Sequence, residues 1–234
     1  AIVLGTSTIS GTYLVTAGGA GTQSGTLQVT SDTTTISASG RDVTLNDSSN
    51  NFYITEITGA NVAIRDTNGI KLGASIVSGT YSVTSGAAIT DRGTQEITGV
   101  TTLAANTSNK IQLDTATNNF ASAVVITSGK NVTLVDEDAI DLGAATVSGT
   151  YTVTAGGAVT NSGALDIEGT TTLVTTAEGA TIVLGTSTNA FTGAVTITTN
   201  DSVSPNDGTY AADVTIDGGT TQLRIAASTI DGDL

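Results

Sequence analysis

A twelve-residue string recurs in this chain with nine of its positions unchanged, and a shortened form of it occurs a third time. Ile70-Lys-Leu-Gly-Ala-Ser-Ile-Val-Ser-Gly-Thr-Tyr81 returns as Ile140-Asp-Leu-Gly-Ala-Ala-Thr-Val-Ser-Gly-Thr-Tyr151, and Ile2-Val-Leu-Gly5 stands ahead of Gly11-Thr-Tyr13. Of the four Gly-Thr-Tyr triplets, those that begin at 11, 79 and 149 are separated by nearly equal intervals, and the fourth begins at 208. Self-similarity at a fixed period predicts a stacked, quasi-one-dimensional array rather than a globule with one centre. Such an array offers a long surface more readily than a reactive pocket.

Other landmarks keep the same spacing. Asn50-Asn-Phe52 matches Asn118-Asn-Phe120 and, more loosely, Asn189-Ala-Phe191. Asn61-Val-Ala-Ile-Arg-Asp66 matches Asn131-Val-Thr-Leu-Val-Asp136. The units run over about 2–69, 70–139 and 140–222, with a fourth starting at 223–234, all within one continuous array over 1–234. The third unit is longer. Its extra segment, near 199–211, surrounds the sole proline, Pro205, and reads as a surface loop inserted into one coil.

Inside the second unit a finer period divides the chain into pieces 79–98, 99–120 and 121–148, each opening on a β-type run such as Thr80-Tyr-Ser-Val-Thr84. Apolar residues alternate with Thr and Ser, as at Tyr81/Val83, Ile111/Leu113 and Val132/Leu134, the period-2 signature of strands with one buried face. β-Branched side chains suit that pleated surface. Gly and Asn at Ala17-Gly-Gly-Ala20, Ala155-Gly-Gly-Ala158 and Ser128-Gly-Lys-Asn131 punctuate the strands. No useful helical stripe occurs. The pattern predicts an all-β chain, a right-handed parallel β-helix (β-solenoid) with three coils per repeat of about 70 residues. Roughly ten coils spaced ~4.8 Å apart would make a rod ~45–50 Å long. A disordered Thr/Gly linker fits the regular alternation and the mean hydropathy of +0.18 poorly. Separate β-sandwiches would want more aromatic cores than 3 Phe and 5 Tyr supply.

Composition narrows the partners. The chain has 21 acidic against 7 basic residues, a formal net charge of −14. That excludes nucleic acid, whose phosphates need Lys and Arg, and argues against an anionic membrane surface. There is no Cys, His, Met or Trp, hence no disulfide framework and no thiolate or imidazole chemistry. No apolar run approaches the ~18 residues of a membrane-spanning helix, so no membrane insertion is expected.

The block Gly149-Thr-Tyr-Thr-Val-Thr-Ala-Gly-Gly-Ala-Val-Thr-Asn-Ser-Gly-Ala-Leu-Asp-Ile-Glu-Gly-Thr-Thr-Thr-Leu173 resembles the repeats of filamentous-haemagglutinin-like bacterial surface proteins. So does Asn118-Asn-Phe120 followed by Ala123-Val-Val-Ile-Thr-Ser-Gly-Lys-Asn-Val-Thr-Leu134. The resemblance covers nearly the whole chain. It implies a β-helical stalk in a very large adhesin, secreted by the two-partner or autotransporter route and displayed outside the cell. Host-cell or neighbouring-cell glycans would then be contacted by other regions. Strand-forming text runs up to Leu234, so the expected partner is continuing chain or another copy joined end to end.

Catalysis has to be sought in a site, not in the fold. The densest acidic cluster is Asp136-Glu-Asp138 with Asp141 behind it, a place for a hard cation or a solvated turn. Its counterpart, Asp66-Thr-Asn68, has fewer carboxylates, which weakens a repeated-site reading. Asp201 and Asp207 flank Pro205 in the inserted loop, where a polysaccharide-acting pair would need a cleft. Arg41, Arg65, Lys71, Arg92, Lys110, Lys130 and Arg224 are dispersed, as solubilising charges and edge guards are. Thr33-Thr-Thr35 and Thr170-Thr-Thr172 raise an ice-binding face, which needs a Thr-x-Thr rank on one face of every coil, whereas these runs recur about once per unit. The Asn ahead of each Phe reads as an internal polar stack, with the Phe filling one corner of the core in every third coil. The expectation is a non-catalytic chain with no catalytic, cofactor-binding or metal-ligating residues assigned.

Overall fold

The computed structural model describes residues 1–200 and 211–234. Among them every secondary-structure element is a β-strand, and every strand pairing is parallel. The strands wind into a solenoid of about ten turns. No helix of the described residues is long and apolar enough to cross a membrane. Pro205, Asp201 and Asp207 lie outside the described residues. The insertion nonetheless shows in the register. Ile182 pairs with Val214, and Val195 bridges to Ile225. Earlier coils close over a much shorter stretch of chain, as in Ile70↔Ile89 and Ile89↔Ile111.

Each turn has three faces. In one turn these are Val62–Asp66, Ile70–Leu72 and Ser75–Val77, before Tyr81–Ser85 lands back on Val62–Asp66. Alternation then does what it predicts. Val62, Ile64, Ile70, Leu72 and Val77 point inward and are buried, while the residues between them face out or are half-covered. On the second face the inward residues stack in register as Ile70, Ile89, Ile111, Val132, Tyr151, Thr171 and Val195. A second column runs through Leu113, Leu134, Val153, Leu173 and Ile197. Each fully buried aliphatic side chain contributes about 1.5–3 kcal/mol over its exposed state. Stability is therefore distributed along the shaft through neighbour contacts.

The repeat and the turn do not coincide. Val132–Asp136 is the tenth strand after Val62–Asp66, and at three strands a turn that is three turns and one further face. Val132 accordingly stacks on Ile111, not on the column of Val62, Tyr81, Thr101 and Val124. The expected three coils per repeat become three and a third. The segment 121–148, expected as one coil, contains a full coil plus an extra strand, because Val124 already pairs with Leu142. The triplet tyrosines show the same shift. Tyr13 pairs with Thr34 on the third face, Tyr81 with Val62 on the first, and Tyr151 with Val132 on the second. The phenylalanines likewise do not share one corner: Phe52, Phe120 and Phe191 pair with Val29, Ile97 and Ile167 on three different faces.

Corners are tight. A Cβ on Gly169 would overlap the Gly149 carbonyl, and one on Gly193 would overlap the Gly169 carbonyl, so three stacked coils meet through glycine at this edge. Asn106, at φ 52°, is the one described non-glycine residue with positive φ; its side chain holds its turn by accepting the Ser108 N–H at 2.9 Å.

Candidate functional site

The acidic run 136–138 divides when it folds. Asp136 ends a strand with its side chain inward, 2% exposed, and accepts the Phe120 and Asp138 N–H groups, each at 2.8 Å. Asp66 does the same for Phe52 at 2.5 Å and Asn68 at 2.7 Å. The pair is thus a repeated structural clasp, joining the start of each Phe strand to the corner one coil later. Burial pushes the Asp66 carboxyl up to about 6, against the pull of its two N–H donors. Burial raises Asp136 as well, with further upward pressure from Asp138 and Glu137.

Glu137 and Asp138 remain exposed and reach the Asn119 side-chain amide at 3.5 and 3.3 Å. Asp141 sits on the next strand opposite Thr160, with one carboxylate oxygen buried and unpartnered. The structure therefore brings Glu137 and Asp138 together but turns Asp136 away from them. Among the described residues no group of three or more acidic side chains is gathered as a cation site would need. The clue in the sequence was a Phe standing at a similar distance ahead of each Asp, Phe52 before Asp66 and Phe120 before Asp136.

The Asn before each Phe is an internal polar rung. Asn50, Asn118 and Asn189 are buried and accept the backbone N–H of Leu27, Gln95 and Leu165, in the preceding coil, at 2.9–3.0 Å. Their amides reach back to Gln23, Asp91 and the Leu184 carbonyl. These groups have their partners within the shaft.

The basic residues are spread over different coils and corners. Lys71 lies over the exposed Tyr53 ring, 4.0 Å from its centre, where the cation faces the electron-rich side of the ring. Hydrogen bonding and charge from Lys71 lower the Tyr53 phenol, with Arg92 adding to the effect.

One surface is more regular than the sequence suggests. On the second face the outward residues Thr133, Thr152, Thr172 and Thr196 stand in register on four consecutive coils. Beside them run Val135, Thr154, Val174 and Thr198. The Thr172 member comes from one of the conspicuous Thr runs, but the others are isolated threonines, visible only once the coils are aligned.

Over residues 1–55, 59–127 and 129–198 the chain matches a family described as repeats of unknown function, DUF5649. No curated protein and no solved structure matches.

Proposed function

We propose that this chain, which belongs to the DUF5649 family of repeats, is a non-catalytic stalk segment of a large bacterial adhesin or surface fibre, displayed outside the cell. The observation that carries this reading is the unbroken parallel ladder from Ile2–Leu4 through Val214–Ile216. A shaft whose every coil is hydrogen-bonded to the next transmits load along its axis and holds a distal region at a fixed distance. The resemblance of 149–173 to filamentous-haemagglutinin-like repeats supplies the extracellular setting. The acidic and amide groups nearest to a site are engaged with the backbone of neighbouring coils, which favours a structural role for them.

The partner in this reading is another stretch of the same solenoid, in the same chain or a second copy, joined end to end. Parallel pairing of one coil on the next, as in Ile182–Leu184 with Val214–Ile216, is the contact that such a junction would repeat.

An antibody raised against this chain tests the setting. It should label intact producing cells as it labels lysed ones, and label confined to lysed cells would contradict the proposal. Electron micrographs should show rods of constant width, about 45–50 Å long per chain given the strand spacing. Compact round particles would contradict the stalk.

A further inference from the structure

We propose that the Thr/Val plane on the second face is a docking surface for the ordered water of an ice crystal. The plane is a two-dimensional lattice. Along a strand, outward residues recur about every 6.6 Å, and across coils about every 4.8 Å. Those two periods approximate the oxygen spacings on a prism face of ice. Thr133, Thr152, Thr172 and Thr196 form one rank of hydroxyl–methyl pairs, and Thr154 and Thr198 alternate with Val135 and Val174 in the other. No described protein group hydrogen-bonds these threonine hydroxyls, so they are free to bind lattice water. The backbone beneath is fixed by parallel pairing from coil to coil, so the spacing is set before anything binds.

Charge complementarity points to the same occupant. Residues 131–234 hold thirteen acidic side chains and one basic, yet 131–135, 150–155, 170–175 and 194–199 hold none of either sign. Charged groups keep their own hydration shells and would disrupt a neutral, ordered water layer. The equivalent face one repeat earlier is not built this way. Ala63, Ser82, Thr102 and Val125 replace the hydroxyl rank, and Arg65 stands at the position of Val135. The surface is therefore confined to 133–198, from the end of the second unit through most of the third, and is not a by-product of the core pattern.

A second copy is a poorer occupant, because the acidic surroundings of two such faces repel. A crystalline polysaccharide is poorer too, because the plane carries no aromatic ring on which a sugar could stack.

Partition into a slowly growing ice front tests the proposal, with the unaltered chain, the Thr152→Lys/Thr172→Lys variant and the Ser82→Lys/Thr102→Lys variant compared side by side. Circular dichroism and melting temperature first establish that all three fold alike. The unaltered chain should enrich in ice by about tenfold over a non-binding protein, which corresponds to ~1.4 kcal/mol. The first-face variant should match it, and the second-face variant should fall to background. Background partition of the unaltered chain would overturn the proposal. Equal enrichment of both variants would do the same, and so would retention on crystalline cellulose, or self-association through this face, without ice enrichment.

Discussion

Val62 and Val132 open the same motif in successive repeats, yet they stand on different faces of the shaft. Val62 pairs with Tyr81 and Val43, and Val132 pairs with Ile111 and Tyr151. Each repeat advances the chain by three turns and a third. A feature that occurs once per repeat is thus carried around the axis, and only after three repeats does it return to the same face.

The glycine corner is the most sensitive place to test the close stacking of coils. Gly169→Ala would push a Cβ into the Gly149 carbonyl. Overpacking of this kind costs about 1–3 kcal/mol. Denaturant unfolding should show that loss, while Thr172→Ala on the outward side of the strand that follows this corner should stay within about 0.5 kcal/mol.

Acid should stabilise the clasp. Asp66 is pushed up to about 6 in the folded chain from an ordinary 3.8. The folded state therefore takes up a proton before the unfolded state does. Ionised Asp66 costs stability above pH 6, and that cost fades as the pH falls through 6 towards 4. Asp136 shifts in the same direction. The melting temperature should rise between pH 7 and pH 4.5, reflecting a gain on the order of 1 kcal/mol from Asp66 after allowance for solvent screening. Asp66→Asn should remove part of that rise, and an unchanged pH profile in this variant would contradict the assignment.

Tyr151 is fully buried in the core column, and its hydroxyl has no hydrogen-bond partner. Burial raises its phenol above the ordinary value. Removing an unpaired buried polar group relieves a desolvation penalty of about 1–3 kcal/mol. Tyr151→Phe should leave stability unchanged or increase it in a urea titration, where most core substitutions reduce it.

Asn118 behaves oppositely. Its Oδ1 accepts the buried Gln95 N–H at 2.9 Å, and its amide donates to Asp91 at 2.7 Å. Asn118→Ala leaves that N–H unpaired between two coils, at a cost of about 1–3 kcal/mol. Hydrogen exchange should then show faster exchange at Gln95, with the coils near Tyr151 little affected, since contacts in a stack are local.

The strands, their inward sides and the polar role of the Asn before each Phe were all legible in the sequence. Alternation at Ile111/Leu113 or Val132/Leu134 leaves only one way to bury both residues. The azimuth of each repeat was not legible, because similarity between Val62 and Val132 reports equal surroundings and not equal position around an axis. The division of 136–138 was hidden for a related reason. Three adjacent carboxylates look alike on paper, and only the strand ending at Asp136 turns one of them inward. The Thr/Val plane was invisible because Thr133, Thr152, Thr172 and Thr196 each come from a different coil, and unequal coil lengths break any simple count.

The lack of cysteine permits a direct test of the stacking. In the double variant Thr133→Cys/Thr152→Cys the two thiols sit in register on neighbouring coils and should form a disulfide readily under mild oxidation. In Val125→Cys/Thr152→Cys they sit on different faces and should stay reduced. Cross-linking of the second pair in place of the first would mean that repeats stack directly above one another, and cross-linking of neither would mean that the coils do not stack in this register at all.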